Sequence, residues 1–250
     1  MQTKAIELNY TQTENNTGSV GVIIVAAGSA SRMGGVNKIL APLSGKPTIC
    51  HTISAFNNNP LVSDIVLVTR DDMILELQKI VSEFNLSKVT DIIEGGSCRE
   101  ESVKKGFERI TKNQNIKNVL IHDGARPLIS QKVITSVINA VEEFLAVIPV
   151  VKAKDTMKRI DTFGKVEQTI ANLVNVQTPQ GFAVSVLKDS FEKAGEDLSR
   201  FTDDASIVEA AGTSVYTVMG DYKNIKITTP EDLILAEAFI KMIEGEEKCE

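Results

Sequence analysis

The chain has 250 residues, of which 42% are hydrophobic, and it carries a formal net charge of −6 at pH 7. A chain of this length and composition can bury a substantial core, so we expect one main α/β domain. The acidic balance argues against a protein that binds nucleic acid or an anionic membrane, because both need a basic face.

Residues 1–18 are polar and rich in Asn and Thr. They have neither the apolar core of a signal peptide nor the Arg-rich character of a transit peptide, so we expect a flexible tail before a domain at 19–250. The apolar runs, such as 21–27, are too short to cross a bilayer. Three widely spaced cysteines and two histidines argue against a disulfide framework and against a zinc site, and favour a cytoplasmic protein.

Short apolar runs alternate with segments of helical period from residue 20 onward. This alternation predicts βαβ units and a mostly parallel sheet flanked by helices. In chain order we predict strands at 20–26, 65–69, 89–93 and 118–122, and helices at 48–56, 72–84, 97–110 and 131–145.

Residues 152–172 interrupt this pattern, because they are polar, contain a Thr-Phe-Gly turn and show no helical stripe. We interpret them as a protruding β-arm. After the arm we predict helices at 184–194 and 203–211 and strands at 214–219 and 225–228. A last helix begins at Pro230, with Thr229 as its N-cap and Asp232 completing a capping box.

The first loop of interest is residues 26–38, AAGSASRMGGVNK. Ligands of an open parallel sheet bind beyond the carboxyl ends of its strands. Small side chains allow backbone N–H groups to approach a polyphosphate, and Arg32 and Lys38 can neutralise its charge. The loop lacks the end of a Walker A motif, and Ala30 and Met33 depart from the dinucleotide fingerprint. An ordinary glycine-rich surface loop is the alternative interpretation.

The second loop is residues 121–127, IHDGARP, which places Asp123 at the end of a buried strand. Carboxylate oxygen is a hard ligand suited to Mg²⁺ that also contacts a triphosphate, so we predict that Asp123 binds the metal. The alternative is a simple turn residue. We interpret His122 as a hydrogen-bonded core histidine.

The third loop is residues 94–102, EGGSCREES, in which a glycine pair leads into a predicted helix. A helix N-terminus offers free N–H donors to a base or a phosphate. Alternatively, Ser97 is only an N-cap and Glu100 completes a capping box, without any ligand.

These loops, with further motifs, resemble the 2-C-methyl-D-erythritol 4-phosphate cytidylyltransferases of the non-mevalonate isoprenoid pathway. The resemblance covers about residues 20–243 and depends on the order and combination of its motifs. They are AAGSASRMGG with Lys38, LSGKP, EGGSCREESV, HDGARP, KDTMKRI, QTPQGF, FTDDASIVE and NIKITTPEDL. The resemblance implies a Rossmann-like nucleotidyltransferase fold and transfer of a cytidylyl group from CTP to 2-C-methyl-D-erythritol 4-phosphate, with release of pyrophosphate.

The resemblance also implies roles for individual residues. For the nucleotide these residues are Ala26, Ala27 and Gly28, with Gly96, Ser97 and Ser102 at the cytosine and ribose. Arg32 and Lys38 stabilise charge at the α-phosphorus, and Asp123 binds Mg²⁺, with Asp221 as the nearest candidate for a second acidic ligand. Lys226 and Thr156 bind the acceptor phosphate. The arm is expected to reach the partner's site in a homodimer.

Several positions depart from the family pattern. Asn37 replaces a proline, the stretch from Met33 to Lys38 is shorter, Ser97 replaces an aspartate, and Lys223 replaces an acidic residue. The arm segment 169–173 is short and lacks an arginine that family members use on the acceptor phosphate. Two alternatives therefore stay open: a ribitol 5-phosphate cytidylyltransferase, and a nucleotide-binding protein that has lost catalysis. A NAD-dependent oxidoreductase is disfavoured by the altered glycine fingerprint.

Overall fold

A computed structural model describes residues 20–28 and 37–247. The predicted tail at residues 1–18 and the predicted catalytic residue Arg32 lie outside the described residues. No helix in the described ranges is long and apolar enough to cross a membrane.

The strands and helices alternate along most of the chain, as predicted. The strands are β1 (Val20–Val25), β2 (Pro42–Leu43), β3 (Lys46–Pro47), β4 (Val62–Thr69), β5 (Val89–Glu94), β6 (Asn118–Asp123), β7 (Ala146–Lys152), β8 (Met157–Ile160), β9 (Val166–Ile170), β10 (Val174–Val176), β11 (Gln180–Ala183) and β12 (Tyr216–Met219). The helices are α1 (Thr48–Asn57), α2 (Ile74–Glu83), α3 (Arg99–Ile110), α4 (Gln131–Phe144), α5 (Val184–Ala194), α6 (Asp204–Ala210) and α7 (Pro230–Glu247), and a 3₁₀-helix at Asp71–Met73 precedes α2.

The central sheet has eight strands. Strands β5, β4, β1 and β6 are adjacent in that order and parallel, whereas β11 pairs antiparallel with both β6 and β7. Strand β12 extends the sheet by pairing parallel with β7. The predicted α/β class with a mostly parallel sheet is therefore confirmed.

The register brings the carboxyl ends of the parallel strands to the same edge of the sheet. Val25, the last residue of β1, lies opposite Val68 of β4 and Asp123 of β6. The loops that follow β6, β1 and β5 consequently begin at this same edge, with β4 between β1 and β5. These are the three loops that the sequence marks as candidate binding segments.

Two apolar clusters cover the two faces of the sheet. On β1, Val22 and Ile24 belong to the cluster that includes side chains of α1, α2 and α4. Ile23 points the other way, into the cluster with α3, α5 and α6. Because each face is covered, β1 is a continuous apolar run, and each such buried side chain stabilises the fold by roughly 1.5–3 kcal/mol.

The segment predicted as an arm contains β8 and β9, which form a two-stranded antiparallel sheet. Its side chains are largely exposed, and Phe163 at the turn between the two strands is 94% exposed.

Some sequence-based boundaries were wrong. Residues 225–228 do not form a strand, because Ile227 N donates a single hydrogen bond to Ala125 O at 2.8 Å instead of joining a ladder. Strands β2, β3, β7, β10 and β11 were not predicted from the sequence. Strand β11, QGFA, lacks a recognisable strand pattern because its glycine makes room for Val137 and Val141 of α4.

Candidate active site

A cavity of about 320 Å³ lies at the carboxyl edge of the parallel strands. Arg99, which the sequence analysis gave no role, lines it together with most of the residues that were predicted to bind or react. Those are Ala26, Ala27, Gly28, Lys38, Gly96, Ser97, Ser102, Asp123 and Lys226. The structure thus brings three loops, remote in sequence, around one space.

Asp123 is the centre of the charged part of the cavity. Its Oδ2 accepts from Lys226 Nζ at 2.9 Å and from Arg126 Nε at 3.4 Å, and its Oδ1 accepts from Arg99 Nε at 3.3 Å. Burial alone would raise the pKa of Asp123, but the positive charges of Arg99, Lys226 and Arg126 hold it well below its usual range. The carboxylate is therefore ionised at neutral pH.

His122 is fully buried and holds the backbone beside Asp123. Its Nε2 lies 3.1 Å from Arg126 O and its Nδ1 lies 3.0 Å from Thr178 Oγ1, while Thr178 Oγ1 accepts from Asp123 N at 3.1 Å. A carbonyl can only accept, so Nε2 carries the proton and Nδ1 accepts from the Thr178 hydroxyl. Burial lowers the pKa of His122 to about 3, so the ring is neutral. His122 is a hydrogen-bonded core histidine, as we expected.

Gly124 allows the loop after Asp123 to pack closely against β1 and α1. A Cβ at this position would lie 2.9 Å from Ile49 Cδ1 and 3.1 Å from Val25 O. Thr52 of α1 also donates to Gly124 O at 2.9 Å. A side chain at this position would have to displace the Ile49 methyl group and press on the β1 backbone, so glycine suits the close packing of the loop against β1 and α1.

The loop before α3 has a different cap from the one considered in the sequence analysis. Cys98, not Ser97, is the N-cap, and its Sγ accepts from Glu101 N at 3.5 Å. Ser97 instead donates through its backbone N and its Oγ to Glu101 Oε2, both at 2.8 Å. The alternative interpretation, a capping box formed by Ser97 and Glu100, was wrong, because α3 begins at Arg99, two residues after Ser97.

Two predicted site residues do not line the cavity. Thr156 is exposed at the start of the arm, immediately before β8. Asp221 lies in the loop after β12, where its Oδ1 accepts from Lys223 N at 2.8 Å and its N donates to Gln177 Oε1 at 3.1 Å. The expected role of Asp221 as a second acidic ligand gains no support from its position.

Three charged residues, one lining the cavity and two behind it, were given no role by sequence reasoning. Arg99 and Arg126 contact Asp123, and the buried Asp204 contacts Arg99. Arg99 offered one signal, since a cation at the first position of a helix opposes the helix dipole. Arg126 stands in the motif HDGARP, where it was given no role.

A Mg²⁺ ion in this cavity would depend on a single carboxylate of the described residues. Asp123 is the acidic side chain among the described residues that line the cavity. Mg²⁺ is commonly held by one or two carboxylates together with substrate phosphates. Across residues 20–28 and 37–247, no cluster of three or more His, Cys, Asp or Glu residues suits an all-protein metal site.

The family model for 2-C-methyl-D-erythritol 4-phosphate cytidylyltransferase matches residues 20–242. The chain belongs to this family. It is therefore a cytidylyltransferase of isoprenoid biosynthesis, and the predicted family and enzyme class are confirmed.

Individual relatives agree with this membership. The 2-C-methyl-D-erythritol 4-phosphate cytidylyltransferase of Dehalococcoides mccartyi (strain ATCC BAA-2266 / KCTC 15142 / 195) is 42% identical over 224 residues, which cover 89% of this chain and 96% of the relative. The cytidylyltransferase of Alkaliphilus metalliredigens (strain QYMF) is 42% identical over 236 residues, or 92% and 97% of the two chains. The crystal structure of 4-diphosphocytidyl-2C-methyl-D-erythritol synthase from Anaerococcus prevotii superposes with a TM-score of 0.79 at 30% identity, covering 90% of this chain and 96% of that one.

Proposed function

We propose that this cytidylyltransferase joins CTP and 2-C-methyl-D-erythritol 4-phosphate in the cavity around Asp123. The products are 4-diphosphocytidyl-2-C-methyl-D-erythritol and pyrophosphate. One observation carries the site assignment: Asp123, Lys38 and Lys226 line the same cavity as the small-residue backbone at 26–28.

The reaction is an in-line displacement at the α-phosphorus of CTP. An oxygen of the acceptor phosphate forms a bond to the α-phosphorus as the bond from that phosphorus to the bridging oxygen breaks. The bridging oxygen keeps the electron pair and leaves with pyrophosphate. The attacking oxygen is already anionic at neutral pH, so no general base is needed, and the neutral, buried His122 offers none.

The main catalytic contribution of the site is to offset electrostatic repulsion between the two substrates. Two like charges about 4 Å apart repel by about 4 kcal/mol at an effective dielectric constant of about 20. Lys38 and Lys226 line the cavity and would offset this repulsion, together with Arg32 of the same first loop. Such groups stabilise the transition state most where charge builds on the phosphates.

Asp123 would hold Mg²⁺ through its carboxylate, together with phosphate oxygens of the substrate and water. When bound, the ion neutralises negative charge on the transferring and leaving phosphates. Arg99 and Arg126 keep the Asp123 carboxylate ionised and oriented.

The nucleotide would lie with its phosphates toward Lys38 and Lys226 and its cytidine toward the loop before α3. The loop contributes Gly96 and Ser97 to the cavity, and the first turn of α3 contributes Ser102 and Arg99. The guanidinium of Arg99 is engaged by Asp123 and Asp204. Ser102 Oγ accepts from Gly96 N at 3.0 Å and donates to Cys98 O at 2.9 Å, so these residues form a fixed wall. A fixed wall of backbone and hydroxyl groups, beside an arginine already paired with two carboxylates, suits a base and a ribose better than a polyphosphate.

The arm would act in a homodimer. Thr156 does not line the cavity of its own chain, as expected if it contacts an acceptor bound in the partner's cavity. Apolar side chains along the arm are strongly exposed, including Ile160 at 59% and Val166 at 55%. Exposed apolar patches of this kind mark interaction surfaces. We also propose a cytoplasmic location, in keeping with the free thiols of Cys50 and Cys98.

A turnover assay tests the proposal. The purified chain is incubated with CTP, MgCl₂ and either 2-C-methyl-D-erythritol 4-phosphate or ribitol 5-phosphate, and released pyrophosphate is measured. We expect turnover with the methylerythritol phosphate, loss of turnover with EDTA, and recovery on adding excess MgCl₂. Turnover with ribitol 5-phosphate alone, or CTP binding without pyrophosphate release, would contradict the proposed reaction. Full activity in EDTA would contradict the role of Mg²⁺.

A further inference from the structure

Arg99 connects the cavity to a carboxylate behind it. Its Nη1 and Nη2 donate to the two oxygens of Asp204 at 3.0 and 2.8 Å, and its Nε donates to Asp123 Oδ1 at 3.3 Å. The guanidinium is planar, so two parallel bonds to one carboxylate fix the orientation of its plane. Asp204 thereby determines where Arg99 Nε points.

Asp204 is held firmly and away from the substrate space. It is 0% exposed and does not line the cavity. It begins α6, whose N-cap is Asp203. Gln180 of β11 ties this end of α6 to the sheet, because its Nε2 donates to Asp203 Oδ2 at 2.9 Å and its Oε1 accepts from Ala205 N at 2.9 Å.

Fold stability alone gives a poor account of this pair. Arg99 is the first residue of α3, where the helix dipole favours negative groups. Asp204 is a fully buried charge, and replacing a buried ion pair by apolar residues is often neutral or stabilising. What the pair supplies is a fixed direction for one N–H donor at the Asp123 carboxylate.

We propose that Asp204 is a positioning residue for cytidylyl transfer. It orients Arg99, and Arg99 in turn holds Asp123 Oδ1, so that the carboxylate keeps the orientation in which it would hold Mg²⁺ beside the bound phosphates. Asp204 itself touches neither substrate. This inference rests on the proposed function, since it assumes that Asp123 serves the reacting phosphates.

The first test is Asp204→Asn, which keeps the side-chain shape but places an N–H group against the Arg99 donors. We expect kcat to fall roughly tenfold or more while KM for CTP changes much less, because misplacing a catalytic group weakens transition-state contacts most. The matched control is Asp91→Asn, which breaks the ion pair of Asp91 with Arg109 at the other end of α3 (2.6 Å). We expect the control to keep its kcat. If D204N folds, keeps its kcat and shows only a lower melting temperature, the ion pair of Asp204 with Arg99 has a structural role alone.

The second test asks whether Asp204 acts through Arg99. Arg99→Lys keeps the charge but removes the planar fork, so we expect its kcat to fall as in D204N. The double variant should then lose little more than either single variant, since both break the same link. If the fold-losses in kcat of the two single variants multiply in the double variant, the proposal is overturned. An R99K enzyme with wild-type kcat would also overturn it. The R99K result decides the question even if D204N does not fold.

A crystal structure of D204N, or of R99K, separates this inference from the proposed reaction. We expect the residue 99 side chain to leave hydrogen-bond distance of Asp123 Oδ1. An unchanged contact would overturn the positioning role, whatever the activity. A wild-type enzyme without turnover, by contrast, would count against the proposed function.

Discussion

At the scale of single residues, Asp123 organises the charge of the active site. Three cationic side chains surround one carboxylate, and Lys226 is the nearest of them at 2.9 Å. The excess of positive charge suits a cavity that must receive a triphosphate and an acceptor phosphate together. Lys226 is also the most exposed of the three side chains, at 39%, so it is the one best able to reach a substrate.

Lys226→Met should lower kcat/KM by roughly a hundredfold, because loss of a preorganised cation at a developing charge typically costs that much. The methionine keeps most of the aliphatic stem, so folding should survive. The measurement is steady-state pyrophosphate release. Lys193→Met is the control, since Lys193 forms an ion pair with Asp189 on the surface of α5 at 2.7 Å and should not affect turnover. Near-normal activity of K226M would remove Lys226 from the mechanism.

At the scale of elements, the start of α7 holds the loop that carries Lys226. Asp232 Oδ2 accepts from Thr228 N at 2.7 Å, from Thr228 Oγ1 at 2.8 Å and from Thr229 N at 2.8 Å. The predicted capping interaction between Asp232 and the backbone of Thr229 is therefore present. Partial burial tends to raise the pKa of Asp232, but these hydrogen bonds outweigh it and lower the pKa below its ordinary value of 3.8.

Asp232→Ala should cost about 1 kcal/mol of unfolding free energy at pH 7, as for other lost caps. The pKa of Asp232 is lowered in the folded state. The contribution of its charge to the free energy of unfolding is therefore complete above pH 3.8 and is lost as the pH falls through the folded-state pKa. Urea unfolding at pH 7 and at pH 3 measures the change. The difference in unfolding free energy between wild type and D232A should be smaller at pH 3 than at pH 7.

Asp232→Asn provides the control for this titration. Asparagine also accepts a hydrogen bond at a helix start but does not titrate, so D232N should lose less stability than D232A at pH 7. If the difference in unfolding free energy between wild type and D232A stays constant from pH 7 to pH 3, the charge of the Asp232 carboxylate contributes nothing to stability.

At the scale of the whole molecule, the arm carries apolar side chains that residues 20–28 and 37–247 leave exposed. Met157, Ile160 and Val166 of β8 and β9 are 43%, 59% and 55% exposed. A two-stranded sheet by itself is at most marginally stable in water. Burial of these side chains against a second copy would stabilise both the arm and the dimer.

Ile160→Glu should shift the protein from dimer to monomer, because burying a charge in an apolar contact is unfavourable. Light scattering after gel filtration measures the mass. Activity should fall with dimer content, whereas CTP affinity should change less, since the described nucleotide-side residues come from one chain. Leu75→Glu is the control, because Leu75 is 72% exposed on α2, outside the arm. A monomeric wild-type protein, or an equal effect of both variants, would contradict the arm-mediated dimer.

Much of the fold follows from local pattern. Apolar runs such as Val20–Val25 are short and flanked by turn residues, and α4 carries a regular apolar stripe, so the alternation of strands and helices could be read directly. Because parallel strands end at a common edge, the loops after β1, β5 and β6 could be expected to meet. The order of the motifs then specified the family.

Other features depended on the approach of segments that are far apart in the chain. Arg99 and Asp204 are separated by 105 positions, so no local pattern relates them. Cys98 and not Ser97 is the N-cap of α3, and the Glu101 side chain accepts instead from Ser97. Residues 225–228 have the apolar pattern of a strand, but Ile227 N donates to Ala125 O in a single loop contact. The sequence by itself thus determined most of the helices and parallel strands, the family and most of the residues that meet at the sheet edge, because these follow from periodicity and motif order. Only the tertiary structure decided which charges pair around Asp123, because those pairs depend on distances between side chains from separate elements.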